Sequence, residues 1–134
     1  MARPKSTQPT ELELEIFKTL WRRSPLTVRE VRESLAAAGR TLAHTSVITT
    51  LNVMVRKKYL RRAMQGNACL FAPRIDRQET SQRMLGDVVS RVFDGSAKAV
   101  VLSLFDCTDL QPEELKELRH LIDQKAKEVQ NERD

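Results

Sequence analysis

Three times in this chain a Thr or Asp stands three residues ahead of a Glu: Thr10 and Glu13, Thr27 and Glu30, Asp76 and Glu79. That spacing predicts capping boxes. The first side chain accepts a free backbone N–H at a helix start, and the Glu reaches back to the N–H of the cap. Three helix starts are thereby set. The first helix runs from about Glu11 to Arg23, with Ile16, Phe17, Leu20 and Trp21 as a wide apolar face, and Ser24 and Pro25 end it. The second starts at Thr27, with Leu26 and Val31 placed as a hydrophobic staple. Val28, Val31, Leu35 and Ala38 line its core face, and Gly39 suits a left-handed C-cap.

The stretch from Ala43 to Arg62 reads as a third, shorter helix with two unlike sides. On a 3.6-residue period Val47, Leu51 and Met54 share one side, with Val55 at its edge. Thr45, Thr49, Asn52 and Arg56 share the other. Small hydroxyls and an amide stabilise an exposed helix face poorly. They are suited to a DNA major groove, where they hydrogen-bond base edges. Arg56, Lys57, Lys58, Arg61 and Arg62 follow at once, where phosphates would lie. The third helix should end near Lys57 or Lys58.

Tyr59–Ala63 and Ala68–Ala72 pair as two short strands around Gln65, Gly66 and Asn67, and Pro73 closes the second. Three helices and a hairpin predict a winged helix-turn-helix over residues 10–74, in which the second helix crosses the DNA backbone and the third enters the groove. Residues 1–9 are read as a flexible basic arm. Residues 75–134 are read as wholly helical, so the fold class is mainly α. A helix from Asp76 to about Phe93 carries Met84, Leu85, Val88, Val89 and Val92. Asp94 and Gly95 break it, Ser96 caps a short helix that holds Val100, Val101, Leu102, Leu104 and Phe105, and Pro112 opens the last, with Leu115, Leu118, Leu121 and Ile122.

Charge divides the same way. Residues 1–74 carry 14 Lys/Arg against 5 Asp/Glu; residues 75–134 carry 9 against 13. A basic half joined to an acidic half implies that one end meets a polyanion. With 40% apolar and 31% charged residues the chain should fold, and 4% aromatics argues against a stacking platform for single strands. No apolar run approaches the roughly 18 residues of a membrane span, and the first residues lack the apolar region of a secretory signal, so no membrane insertion and a cytoplasmic location are expected.

Little here suggests catalysis. There is no glycine-rich phosphate loop or nucleophile elbow. His44 and His120 have no acid or nucleophile beside them; His44 is placed to touch a phosphate, and His120 reads as a surface residue. Glu13/Glu15 and Glu113/Glu114 read as helix-start and solvated-face charges. Cys69 and Cys107 have no partner at metal-ligand spacing and read as reduced small hydrophobes, with a redox switch as a minor alternative. No metal, cofactor or enzyme activity is expected.

About 60 residues in three helices have little volume in which to hide the apolar stripes at Val88–Val92, Val100–Phe105 and Leu115–Ile122. A twofold partner would cover Val88, Val92, Val101, Leu104, Phe105, Leu115, Leu118 and Ile122, and would set two recognition helices one DNA turn apart. The alternative is packing of these helices back onto the winged helix.

With these residues in view the chain resembles the penicillinase-repressor family of bacterial transcription regulators. The matching segments are Thr10–Trp21, Leu26–Leu35, His44–Asn52, Arg91–Ser96 and Leu110–Asp123. The resemblance implies a homodimeric repressor that binds a dyad operator in double-stranded DNA through an N-terminal winged helix and dimerises through the helices after it. In the lactam branch a membrane sensor peptidase system leads to repressor cleavage. The scissile Asn–Phe pair of that branch aligns with Ser103 and Leu104, the cleavage region by position, though the residues differ. The cysteine cluster of the copper branch has no counterpart. Val53 stands where relatives often carry a basic residue, and Lys58 where they often carry glycine.

The expected function is therefore repression of a promoter by a homodimer on a palindromic operator. Thr45, Ser46, Thr49 and Asn52 are the base-reading candidates; His44, Arg56, Lys57, Arg61 and Arg62 are the phosphate-holding ones. The alternative is a winged-helix module that binds protein and touches no DNA.

Overall fold

The computed structural model describes residues Gln8–Arg133. The basic arm expected over residues 1–9 therefore lies mostly outside the described residues. The elements run α1 (Glu11–Arg22), β1 (Leu26–Thr27), α2 (Val28–Ala37), α3 (His44–Arg56), β2 (Leu60–Gln65), β3 (Ala68–Pro73), α4 (Arg77–Arg91), α5 (Ala97–Cys107) and α6 (Pro112–Arg133). This is a winged helix followed by helices.

The first two capping boxes are complete. Glu13 N–H donates to Thr10 Oγ1 at 3.1 Å while Thr10 N–H donates to Glu13 Oε1 at 2.8 Å. Glu30 N–H and Thr27 N–H make the same exchange at 3.2 and 3.0 Å. The third is used differently: Asp76 Oδ1 accepts from Glu79 N–H at 2.7 Å, and the Glu79 carboxylate takes Arg83 one turn on.

Apolar faces of α1, α2 and α3 meet in one core. Phe17 is fully buried between Trp21, stacked at 5.0 Å between ring centroids, and Tyr59 at 5.4 Å. Ile16, Leu20, Val28, Val31, Leu35, Val47, Leu51 and Met54 complete the helical contribution, and Leu60 and Phe71 bring the sheet onto it. Truncating a side chain such as Phe17 to Ala would cost roughly 3–5 kcal/mol. Ala38 does not join this core. It is exposed and caps α2, because the helix has ended at Ala37 and the chain turns at Gly39, whose φ is +96°.

The sheet has three strands in the order β1-β3-β2, all antiparallel. The hairpin β2–β3 was expected; β1 was not. Leu26 pairs with Phe71 and Thr27 with Leu70. A two-residue strand is below the length at which alternation can be read from sequence, and its partner lies more than forty residues away. The hairpin turns on Gly66 and Asn67 between the pair Gln65 and Ala68. Gly66 has φ +62° whereas Asn67 is not in the positive-φ region, the pattern of a II′ turn.

The chain divides into two compact units, the first ending at Asp87 and the second starting at Val88. The first unit thus takes in residues 75–87, which sequence patterning assigns to the second domain. Two contacts with Trp21 and two buried residues explain this. Ile75 is buried and its carbonyl accepts Trp21 Nε1–H at 2.9 Å. The Arg77 guanidinium stands over the Trp21 ring at 5.6 Å. Thr80 is buried and its hydroxyl donates to Asp76 O.

In the second unit α5 is capped by Ser96, whose Oγ accepts Ala99 N–H at 3.1 Å, and α6 starts at Pro112. Neither helix contains a buried residue. Val101, Leu104, Phe105, Leu115, Leu118 and Ile122 line an open groove of about 710 Å³. Phe105 is 51% exposed and Ile122 59%, so this apolar surface is uncovered in a single chain. No helix among the described residues is long and apolar enough to cross a membrane.

Candidate nucleic-acid interface

The two sides of α3 separate as their residue types dictate. Val47, Leu51 and Met54 are fully buried. Thr45, Ser46, Thr49 and Arg56 are exposed, and Asn52 is half-buried. Thr50 turns its hydroxyl back to Ser46 O at 2.9 Å and so is internally satisfied. His44 is the exposed first residue of the helix.

The helix ends through an unusual residue. Lys57 is the C-cap, and Lys58 follows with φ +66°, its N–H donating to Val55 O at 3.0 Å. A side chain in the left-handed region carries a steric cost that glycine avoids. This turn re-aims the chain so that Tyr59 and Leu60 enter the core and β2 begins.

The cations of the predicted phosphate-holding set do not share one environment. Lys57 Nζ is held by the buried carboxylate of Glu13, 2.8 Å from Oε2 and 3.0 Å from Oε1, and lies 5.7 Å from the Tyr59 ring centroid. Its charge is paired at the edge of the domain with a carboxylate that is itself buried. Glu13 correspondingly is 2% exposed, not the solvated-face acid that its position beside Glu15 suggests. A long cation at one end of a helix and an acid at the start of another have no local pattern to betray them.

Arg61 and Arg62 part company because successive strand residues face opposite ways. Arg62 shares its strand face with the buried Leu60 and so reaches α3, where its Nη1 donates to Asn52 Oδ1 at 2.9 Å. Arg61 is on the other face and exposed. Period-two alternation could have separated the two from sequence. His44, Arg56, Arg61 and Arg62 are all solvent-exposed, and Arg62 is in addition hydrogen-bonded to α3.

The residues named for dimerisation lie away from this surface in the chain. Val88 and Val92 are exposed on or just beyond α4, Val101, Leu104 and Phe105 on α5, and Leu115, Leu118 and Ile122 on α6. Ser103 is half-buried and Leu104 exposed, both within α5. Cys69 is half-buried on β3. Cys107 is exposed at the end of α5, with its thiol donating to Ser103 O at 3.0 Å.

Comparison with known proteins identifies the family. The family model described as penicillinase repressor matches residues 9–124. The chain is 24% identical over 120 residues to the penicillinase repressor of Bacillus licheniformis, covering 90% of this chain and 93% of that one. It is 31% identical over 102 residues to the transcriptional regulator BlaI of Mycobacterium tuberculosis, covering 75% and 73%. A MarR protein structure from Peptoclostridium difficile DA00132 overlaps 91% of this chain and 73% of its own, at 14% identity and a TM-score of 0.39. A match spanning both the winged helix and the helices after it means that this chain belongs to the penicillinase repressor family.

Proposed function

We propose that this DNA-binding transcriptional repressor acts as a homodimer on a two-fold symmetric operator, and that occupancy of the operator blocks a promoter. The observation that carries the reading is the exposed face of α3. Thr45, Ser46 and Thr49 stand free of the core while Val47, Leu51 and Met54, on the same helix, are fully buried. Exposed hydroxyls in front of a cationic wing are a groove surface with phosphate contacts at its edge. Arg56, Arg61 and His44 supply those contacts.

Dimerisation is supported by the uncovered apolar side chains of α5 and α6 and by Val88 and Val92. An exposed groove of this character calls for a twofold partner. Such a repressor works in the cytoplasm, beside the chromosome. Release by a sensor peptidase is the family precedent that fits best. A cut near Ser103 and Leu104 would sever α5 and with it the dimer surface, and α5 would have to unwind locally to be cut.

The test couples sedimentation equilibrium to fluorescence anisotropy on duplex DNA at two salt concentrations. The expected result is a dimer whose DNA affinity falls steeply with salt. Phe105→Glu should give a monomer with much weakened operator affinity. A monomeric wild type, or DNA affinity indifferent to salt, would favour a protein-binding winged-helix module instead.

A further inference from the structure

We propose that Arg62 of the wing decides which base edge Asn52 reads. The proposal rests on the DNA-binding reading above and deepens it. Arg62 Nη1 donates to Asn52 Oδ1 at 2.9 Å, across ten residues and the turn from α3 into β2. A guanidinium carries donors only, so the amide must meet it with oxygen and not with its NH₂ group. The side-chain orientation of Asn52 is therefore imposed from the wing. With its oxygen held by a cation, Asn52 presents N–H donors outward, beside Thr49 one turn before it and Arg56 one turn after.

An asparagine free to turn pairs with adenine through both halves of the amide, oxygen to the N6 amino group and NH₂ to N7. Arg62 fills one of the two lone pairs of that oxygen, and an adenine amino group approaching the other would meet the guanidinium charge beside it. Donors suit best the edges made of acceptors, guanine N7 and O6 or thymine O4; adenine also offers N7, but its N6 amino group then lacks a good acceptor on the amide. Arg62 is thus a positioning residue. Its charge sits at the groove, where it biases sequence choice, while Arg61 on the opposite strand face is left for phosphate.

The experiment selects a random double-stranded DNA library on full-length wild type, Arg62→Ala, Arg62→Lys and Asn52→Ala, with thermal melts to verify folding. Wild type should recover a motif in which one column favours guanine or thymine by about fivefold or more. Asn52→Ala should flatten that column. Arg62→Ala should shift the same column toward adenine, and Arg62→Lys, which restores a donor, should return part of the original preference. An Arg62→Ala motif identical column by column to wild type, with affinity lowered throughout, makes Arg62 a phosphate contact and overturns the proposal. No enrichment by wild type overturns the DNA reading itself, and the proposal with it.

Discussion

The Nζ of Lys57 lies 2.8 Å from Oε2 of Glu13, joining the C-cap of α3 to the first turn of α1. The two ends of the pair are not alike. The Glu13 side chain is 3% exposed and Lys57 33%. Taking away Lys57 leaves a buried carboxylate with, among the described residues, the Thr10 N–H as its donor; taking away the charge of Glu13 leaves an ammonium that can turn to water. Lys57→Met should therefore destabilise by about 2 kcal/mol and Glu13→Gln by about 1 kcal/mol. Urea midpoints of the two variants measure the difference, and equal losses would mean that the pair is solvated in practice.

Lys58 predicts a stabilising change. Its φ of +66° is strained for any side chain, and glycine relieves it at the cost of a freer unfolded chain. Lys58→Gly should raise stability by about 0.5–1 kcal/mol, while Lys58→Ala should bring no gain. Chemical denaturation of both would separate backbone strain from loss of charge, since both remove the same ammonium.

The exposed face of α3 and the wing should fail in distinguishable ways. A Thr45/Thr49/Asn52 triple alanine variant should lose most discrimination between operator and random duplex yet melt close to wild type, because Thr45 and Thr49 are exposed and Asn52 is only half-buried. Arg61→Ala should weaken both duplexes alike and lower the salt slope by about one unit. Anisotropy titrations over a range of salt concentrations report both quantities. Operator preference retained by the triple variant would move the reading surface elsewhere.

Glu30 gives a pH dependence with a definite sign. The Thr27 backbone N–H, then the Thr27 hydroxyl and the Arg23 guanidinium, hold its carboxyl below the ordinary value. A carboxyl depressed in the folded state contributes stability above its unfolded value and loses it as pH falls through the folded one. Glu30→Gln keeps an acceptor for the Thr27 N–H but not the charge. The gap in melting temperature between wild type and Glu30→Gln should be present at neutral pH and close on acidification through the carboxylate range. A gap that stays constant would assign the whole effect to the neutral hydrogen bond.

Everything periodic or local in this protein is written along the chain. Capping boxes at Thr10 and Thr27 mark helix starts because a cap and its partner are three residues apart. Val47, Leu51 and Met54 face inward, opposite Thr45 and Thr49, because a helix repeats every 3.6 residues. Gly66 marks the hairpin through its freedom at positive φ. What only the tertiary structure decided is the choice of partner over distance. The strand at Leu26 exists because Phe71 is brought beside it. Lys57 turns inward to Glu13 rather than toward phosphate. Arg62 leaves the cationic cluster to hold Asn52. The first unit extends to Asp87 because Trp21 reaches the carbonyl of Ile75 and the ring lies beneath Arg77. Long cations and single strand pairings have many local options of similar energy, and only packing of the whole domain selects among them.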